Sequence, residues 1–172
     1  MSRRATISAL SVSAALLVGV AVHEGYSDRP YLDLVGIQTI GFGRTEGVRP
    51  GEKTTPQREL ILALKDLEGR KAVIALCVKV PLYQHEFDAY MSLAYNIGTS
   101  AFCGSTLVRK LNAGDYAGAC REIQRWNRAG GREVAGLTKR RQAEYEACIG
   151  KNLPAAVMAT ADNGEAGRGG TQ

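Results

Sequence analysis

The chain has 172 residues, of which 45% are hydrophobic and 23% charged, with a formal net charge of +5. This composition excludes a mostly disordered chain, a collagen-like repeat and a multi-span membrane protein, and the length suits one domain with a real core. The mild positive balance favours an anionic partner without choosing among nucleic acid, a membrane surface and an acidic polymer.

Arg3 and Arg4 precede an uncharged run, residues 5–22. The run is just long enough to cross a bilayer as a helix, and the arginines would keep its N-terminus in the cytoplasm. It is rich in Ala, Ser, Thr and Gly. Apart from valines, its large aliphatic residues are Ile7, Leu10, Leu16 and Leu17, so it should insert weakly. Gly19-Val20-Ala21 also suits a signal peptidase, so a cleavable signal peptide is a second reading. Either way the rest of the chain is exported. The pattern predicts one helix over residues 5–24.

Residues 25–51 are dense in turn formers. Within them Gln38-Thr39-Ile40-Gly41-Phe42-Gly43 predicts a strand of a small antiparallel hairpin. Thr55 followed by Pro56 predicts a helix start, with the helix running towards Cys77 before Pro81. Phe87, Tyr90, Met91, Ala94 and Ile97 form a core stripe on a second helix, and Gly98 ends it. Shorter helices fit residues 105–112, 115–126 and 137–149, the last after Gly130-Gly131. From residue 152 the chain has no periodicity and predicts a disordered tail. The predicted class is α+β: a long N-terminal helix, a small β lobe and a helical lobe, with a cleft between the lobes for a ligand.

Cys77, Cys103, Cys120 and Cys148 form no C-x-x-C pair, and with only His23 and His85 as histidines there is no H-E-x-x-H. That pattern argues against a metal site and, in an exported chain, for two disulfides. Three pairings are open. Cys77–Cys103 with Cys120–Cys148 is the expected one, because each bridge joins neighbouring helical segments without crossing the other. Phosphate loops fail: Glu46 stands where a dinucleotide fingerprint from Gly41 needs glycine, and Lys53 follows Glu52 rather than glycine. No cofactor is expected. Lys139-Arg140-Arg141 reads as a solvated helix face, and with export this argues against nucleic acid.

The carboxylates are more informative. Glu24 stands where the apolar run meets the β lobe, and Asp33 and Thr39 follow in the pattern E-x8-D-x5-T. Glycoside hydrolysis needs two carboxyl groups facing a cleft, one protonated as acid and one acting on water or as nucleophile. An uncharged helix before Glu24, with Asp33 nearby, would keep Glu24 protonated, while Asp33 in a polar turn would stay ionised.

The stretch HEGYSDRPYLDLVGIQTIGFGRT resembles the phage-type lysozymes, glycoside hydrolase family 24. The resemblance covers most of residues 23–150. It continues through Ser92-Leu93-Ala94-Tyr95-Asn96-Ile97-Gly98, Arg125-Trp126 and Gly136-Leu137-Thr138-Lys139-Arg140-Arg141. It implies that Glu24 is the general acid, that Asp33 places or activates the attacking water and that Thr39 positions it. The reaction would be inverting hydrolysis of the β-1,4 bond between N-acetylmuramic acid and N-acetylglucosamine in peptidoglycan. Tyr31 and Asn96 would contact the sugar chain.

The N-terminus resembles a narrower subgroup, the signal-arrest-release endolysins. These are held inactive in the host periplasm by an uncleaved anchor in the inner membrane and act as soluble enzymes after release. Residues 1–22 would then be the anchor, 23–150 the catalytic domain and 151–172 the tail, in a monomer. Cleavage after Ala21 would leave Glu24 on a frayed end, whereas a retained segment places it on the last turn of a helix. The alternatives are a lytic transglycosylase using Glu24 alone and a tethered peptidoglycan-binding module.

Overall fold

A computed structural model, which describes residues 3–33 and 36–151, breaks the expected N-terminal helix in two. A single 3-10 turn spans Ile7–Ala9, the chain then runs extended, and helix α1 covers only Ala14–Glu24. The hydroxyl residues explain the break, since Ser and Thr side chains compete with helical hydrogen bonding and favour caps. Ser13 is the N-cap: its Oγ accepts from Leu16 N at 3.0 Å and donates to Asp88 Oδ2 at 2.7 Å. Upstream, Ala5 exchanges both backbone hydrogen bonds with Leu82 at 2.8 Å. None of the described helices is long and apolar enough to cross a membrane.

After α1 come strands β1 (Ser27–Leu32) and β2 (Gln38–Gly41), antiparallel, with Tyr31 opposite Thr39 and an irregularity between Ser27 and Tyr31. A two-stranded hairpin is marginal alone, and this one is bolted to the next helix, α2 (Pro56–Cys77). The helix starts as expected, with Thr55 Oγ accepting from Arg58 N. Helix α3 (Gln84–Ile97) is the centre of the molecule. Its Phe87, Tyr90, Met91 and Ala94 are buried as the stripe requires, and Leu93 joins them. Gly98, at φ +87°, stops it.

The C-terminal half contains more elements than the sequence suggested. Helix α4 (Thr99–Cys103) follows Gly98 directly, then come α5 (Thr106–Asn112) and α6 (Tyr116–Glu122). The expected helix over 115–126 ends early, and Ile123–Arg125 is a 3-10 turn. Gly130 and Gly131 both have positive φ and turn a short hairpin between β3 (Arg128–Ala129) and β4 (Arg132–Glu133), as two-residue hairpin loops require. Helix α7 runs Ala135–Cys148. The predicted tail, from residue 152, lies outside the described residues.

The cysteines pair Cys77–Cys103 and Cys120–Cys148, tying α2 to α4 and α6 to α7. Loop closure assigns each bridge about 3.5 kcal/mol. The core gathers Leu16 and Val20 of α1, Leu67 and Ile74 of α2, the α3 stripe, and Phe102, Leu107 and Leu111. Ile7 and Leu10 of the N-terminal segment belong to it too.

A polar clasp holds that segment down. Arg4 donates from Nη2 to Glu86 Oε1 (2.8 Å) and from Nε to Oε2 (3.2 Å), and its guanidinium lies 3.7 Å from the Tyr116 ring centroid and 4.5 Å from that of Tyr83. Glu86 also accepts from Tyr83 N at 2.8 Å, capping α3. Glu86→Gln should therefore lower stability by about 1–3 kcal/mol, because a buried acceptor of charged donors is neutralised. Urea unfolding checks this, and an unchanged midpoint would mean that the clasp contributes nothing.

Candidate active site

Glu24 is the last residue of α1. Gly25, at φ +72°, turns the chain out of the helix and into β1. The Glu24 side chain is 24% exposed, and its Oε1 accepts from Arg140 Nη1 at 3.0 Å. Its other oxygen, Oε2, faces the turn after β2, where a Cβ built on Gly43 would lie 3.2 Å from it. The two oxygens are thus distinguished: one rests on a guanidinium, the other points at the β lobe.

The turn that meets Glu24 is rigidly held. Ile40 and Arg44 exchange backbone hydrogen bonds of 2.9 and 3.0 Å around Gly41-Phe42-Gly43. The Arg44 fork then grips Glu59 on the first turns of α2, Nε to Oε2 at 3.1 Å and Nη2 to Oε1 at 3.0 Å. Thr54 Oγ1 adds a 2.6 Å bond to Glu59 Oε1, and Arg44 Nη2 a 2.8 Å bond to Glu52. Burial alone would push the Glu59 carboxyl up, but Arg44 and Thr54 outweigh it and hold it below the usual carboxylate range. A side chain at Gly41 would run into Glu59.

Asp33 and Thr39 share the β1–β2 hairpin and are joined through one residue. Asp33 Oδ1 accepts from Ile37 N at 2.8 Å, while Thr39 Oγ1 donates to Ile37 O at 3.1 Å. Thr39 is only 3% exposed. Having spent its proton on Ile37, its hydroxyl keeps lone pairs that can accept from a water. Tyr31, the ladder partner of Thr39, is exposed. Asn96 stands on the last turn of α3, with its carboxamide oxygen accepting from Arg141 Nη1 at 2.9 Å. It therefore reaches Glu24 through the α7 arginines rather than by contact.

The expectation for those arginines is corrected. Arg140 and Arg141 are not a solvated face: they are 7% and 1% exposed. Glu144, one helical turn later, holds both. Its Oε1 accepts from Arg140 Nε (3.2 Å), Arg141 Nη2 (2.8 Å) and Ser92 Oγ (2.7 Å). Burial lowers the Arg141 pKa, against the pull of Glu144. The missed signal was the i,i+3 and i,i+4 spacing of Arg141 and Arg140 to Glu144 on one helix. It also revises the surroundings expected for Glu24, which faces a cation rather than an apolar wall.

Other features border this site. Burial, then Arg140, lowers the His23 pKa, and burial pushes Tyr95 up to about 12. A cavity of about 260 Å³ between α1, α3 and α7 is lined by Leu16, Gly19, His85, Ala89 and Ala147 among others, but not by Glu24, Asp33 or Thr39. No cluster of His, Cys, Asp and Glu among the described residues could hold a metal ion.

The sequence matches the Phage lysozyme family over residues 21–144. It is 38% identical over 139 residues to the endolysin of Acyrthosiphon pisum secondary endosymbiont phage 1, covering 78% of this chain and 95% of that protein. It is 37% identical over 145 residues to the SAR-endolysin of Enterobacteria phage P21, covering 82% and 88%. Among solved structures, the muramidase domain of SpmX from Asticaccaulis excentricus superposes with a TM-score of 0.76 at 28% identity, covering 81% of this chain and 98% of that one.

Two glycines separate backbone strain from contact with Glu24. Gly43 and Gly47 both have positive φ (84° and 67°), but nothing lies near a Cβ at Gly47. Gly43→Ala and Gly47→Ala should each lose about 1–2 kcal/mol of stability. Gly43→Ala alone should lose roughly tenfold or more in activity, because it displaces the Glu24 carboxyl group. Melting and cell-wall turnover assays on both variants check this; equal activity losses would remove Gly43 from the site.

Proposed function

Because this chain belongs to the phage lysozyme family, we propose that its hydrolysis of peptidoglycan runs on Glu24, Asp33 and Thr39. The chain is a glycoside hydrolase, an endolysin that degrades the cell wall. The bond cut is the β-1,4 link between N-acetylmuramic acid and N-acetylglucosamine. Glu24 gives its proton to the leaving oxygen from Oε2, since Oε1 is occupied by Arg140. Asp33 activates a water on the opposite face of the sugar, and Thr39 accepts a hydrogen bond from that water, giving inversion. The observation that carries this reading is the unequal environment of the two Glu24 oxygens, with Oε2 turned to the β lobe that bears Asp33 and Thr39. Tyr31, exposed beside Thr39, and Asn96 contact the sugar chain, a role that the exposure of Tyr31 supports. The enzyme acts as a monomer.

Residues 1–22 serve as an anchor in the inner membrane before the enzyme acts in the periplasm. The arginines before an uncharged run support this, as does the likeness to a SAR-endolysin. The folded state described above is then the released one. Spanning the bilayer would require residues 5–22 to straighten into one helix. That conformation breaks the Ser13–Asp88 bond, the Ala5–Leu82 pair and the Arg4–Glu86 clasp. It also leaves Glu24 two residues from the membrane and away from Arg140. The net positive charge speeds encounter with anionic cell-wall polymers, an effect that salt weakens.

Glu24→Gln should reduce wall hydrolysis by about 10²–10⁴-fold while preserving the fold, the usual worth of general acid catalysis. Asp33→Ala should be severely impaired, and the parent's products should carry reducing ends. A fully active Asp33→Ala with 1,6-anhydro ends would instead indicate a transglycosylase.

Ser11→Leu raises the hydrophobicity of the segment without touching a side-chain bond of the folded state, where Ser11 offers only its carbonyl to Gln84. On its own it should hold more of the protein in the membrane and inactive, without the loss of the helix cap and Asp88 bond that a change at Ser13 would add. Lysis equal to the parent's after membrane depolarisation would reject release as the switch.

A further inference from the structure

Glu144 stands outside the catalytic set, yet it is paired with both arginines behind Glu24. Its Oε1 accepts from Ser92, Arg140 and Arg141, and its Oε2 lies 2.7 Å from Arg141 Nε, off the line of a hydrogen bond. Arg140 spans the two carboxylates, Nε on Glu144 and Nη1 on Glu24. Glu144 is 5% exposed, so its charge is weakly screened.

With Glu24 ionised, the cluster holds two guanidinium cations against two carboxylates. With Glu24 protonated, as a general acid must be, one cation is in excess. We propose that Glu144 is a positioning residue for the reaction: its charge occupies the two arginines, so that Glu24 can carry a proton beside Arg140 rather than being fixed as its carboxylate partner. This rests on the reading of Glu24 as the acid. Without the Glu144 charge, both guanidinium groups would act on Glu24 with no anion between them, and the ionised form would be favoured at lower pH.

The groups around Glu24 from the other elements do not replace Glu144. His23 precedes it on α1 and is itself influenced by Arg140 and Glu144. Tyr95 on α3 is a neutral phenol capped by Arg70, and Arg70 is paired with Asp66 on α2. Asn96 and the Trp126 carbonyl take the other arm of Arg141 without charge.

The test is the pH profile of kcat/KM on purified peptidoglycan, using the full soluble chain with Glu144→Gln, Glu144→Asp and Glu24→Gln. The alkaline limb of such a profile reports loss of the acid's proton. Glu144→Gln should move that limb to lower pH by about half a unit or more, a roughly three-fold loss at a fixed pH on the limb. Glu144→Asp, which keeps the charge, should restore the limb whatever its melting temperature. A Glu144→Gln limb that coincides with the parent's, with activity scaled down evenly, would overturn the proposal.

If Glu144→Gln does not fold, Ser92→Asp decides, since it sets a second carboxylate beside Glu144 against the same arginines. Its limb should move to higher pH, and coincidence with the parent would overturn the proposal. An active Glu24→Gln would defeat the acid assignment itself. An inactive Glu24→Gln with an unmoved Glu144→Gln limb would defeat this proposal alone.

Discussion

Burying a guanidinium group costs several kcal/mol unless carboxylates and carbonyls take the place of the water around it. Arg140 and Arg141 are both buried, and their partners are spread over the molecule: Glu24 on α1, Ser92 and Asn96 on α3, Glu144 on their own helix, and the Trp126 carbonyl. Each partner must arrive within about 3 Å at a usable angle. Such a cluster is a poor source of net stability against a well-packed apolar core. What it imposes is geometry. The end of α1, the outer half of α3 and the middle of α7 are fixed together, and the Cys120–Cys148 bridge pins the far end of α7. The orientation of Glu24 follows from that assembly.

The β lobe meets the same problem with a second cluster. A two-stranded hairpin buries too little to hold itself, so Arg44, Glu59, Thr54 and Glu52 supply charge-assisted bonds across its base. The turn they fix needs glycine at 41 and 43, because Glu59 and Glu24 fill the space a side chain would use. Two polar clusters therefore flank Glu24, one setting the position of its carboxyl group and the other setting the turn after β2 that faces it.

Local chemistry was legible where it was unopposed. Thr55-Pro56 opens α2, the apolar stripe of α3 faces the core, and Gly98 stops it, because capping, periodicity and glycine all act within a few residues. Glu24, Asp33 and Thr39, the proposed catalytic set, stand out as a spaced pattern on a short stretch of chain, and the roles proposed for them come from the family resemblance rather than from composition. The failures have a common cause. Arg140 and Arg141 read as a charged face because a sequence does not display a partner 116 residues away. Residues 5–24 read as one helix because hydropathy is blind to Ser13, whose hydroxyl finds Asp88 on another helix. The hairpin at Gly130-Gly131 was missed because two-residue strands leave no alternation to detect.

The pairing of Glu24 with Arg140 joins almost the first helix of the chain to the last. Synthesis runs from the N-terminus, so Glu24 is made well before α7 exists. Contacts of such long separation form late, after the loop between them has closed. A ribosome partway through this chain thus carries a Glu24 without its counter-ion and a central helix without its outer neighbour. The surroundings of Glu24 are therefore complete only when the final helix arrives, and a chain abandoned during translation lacks them.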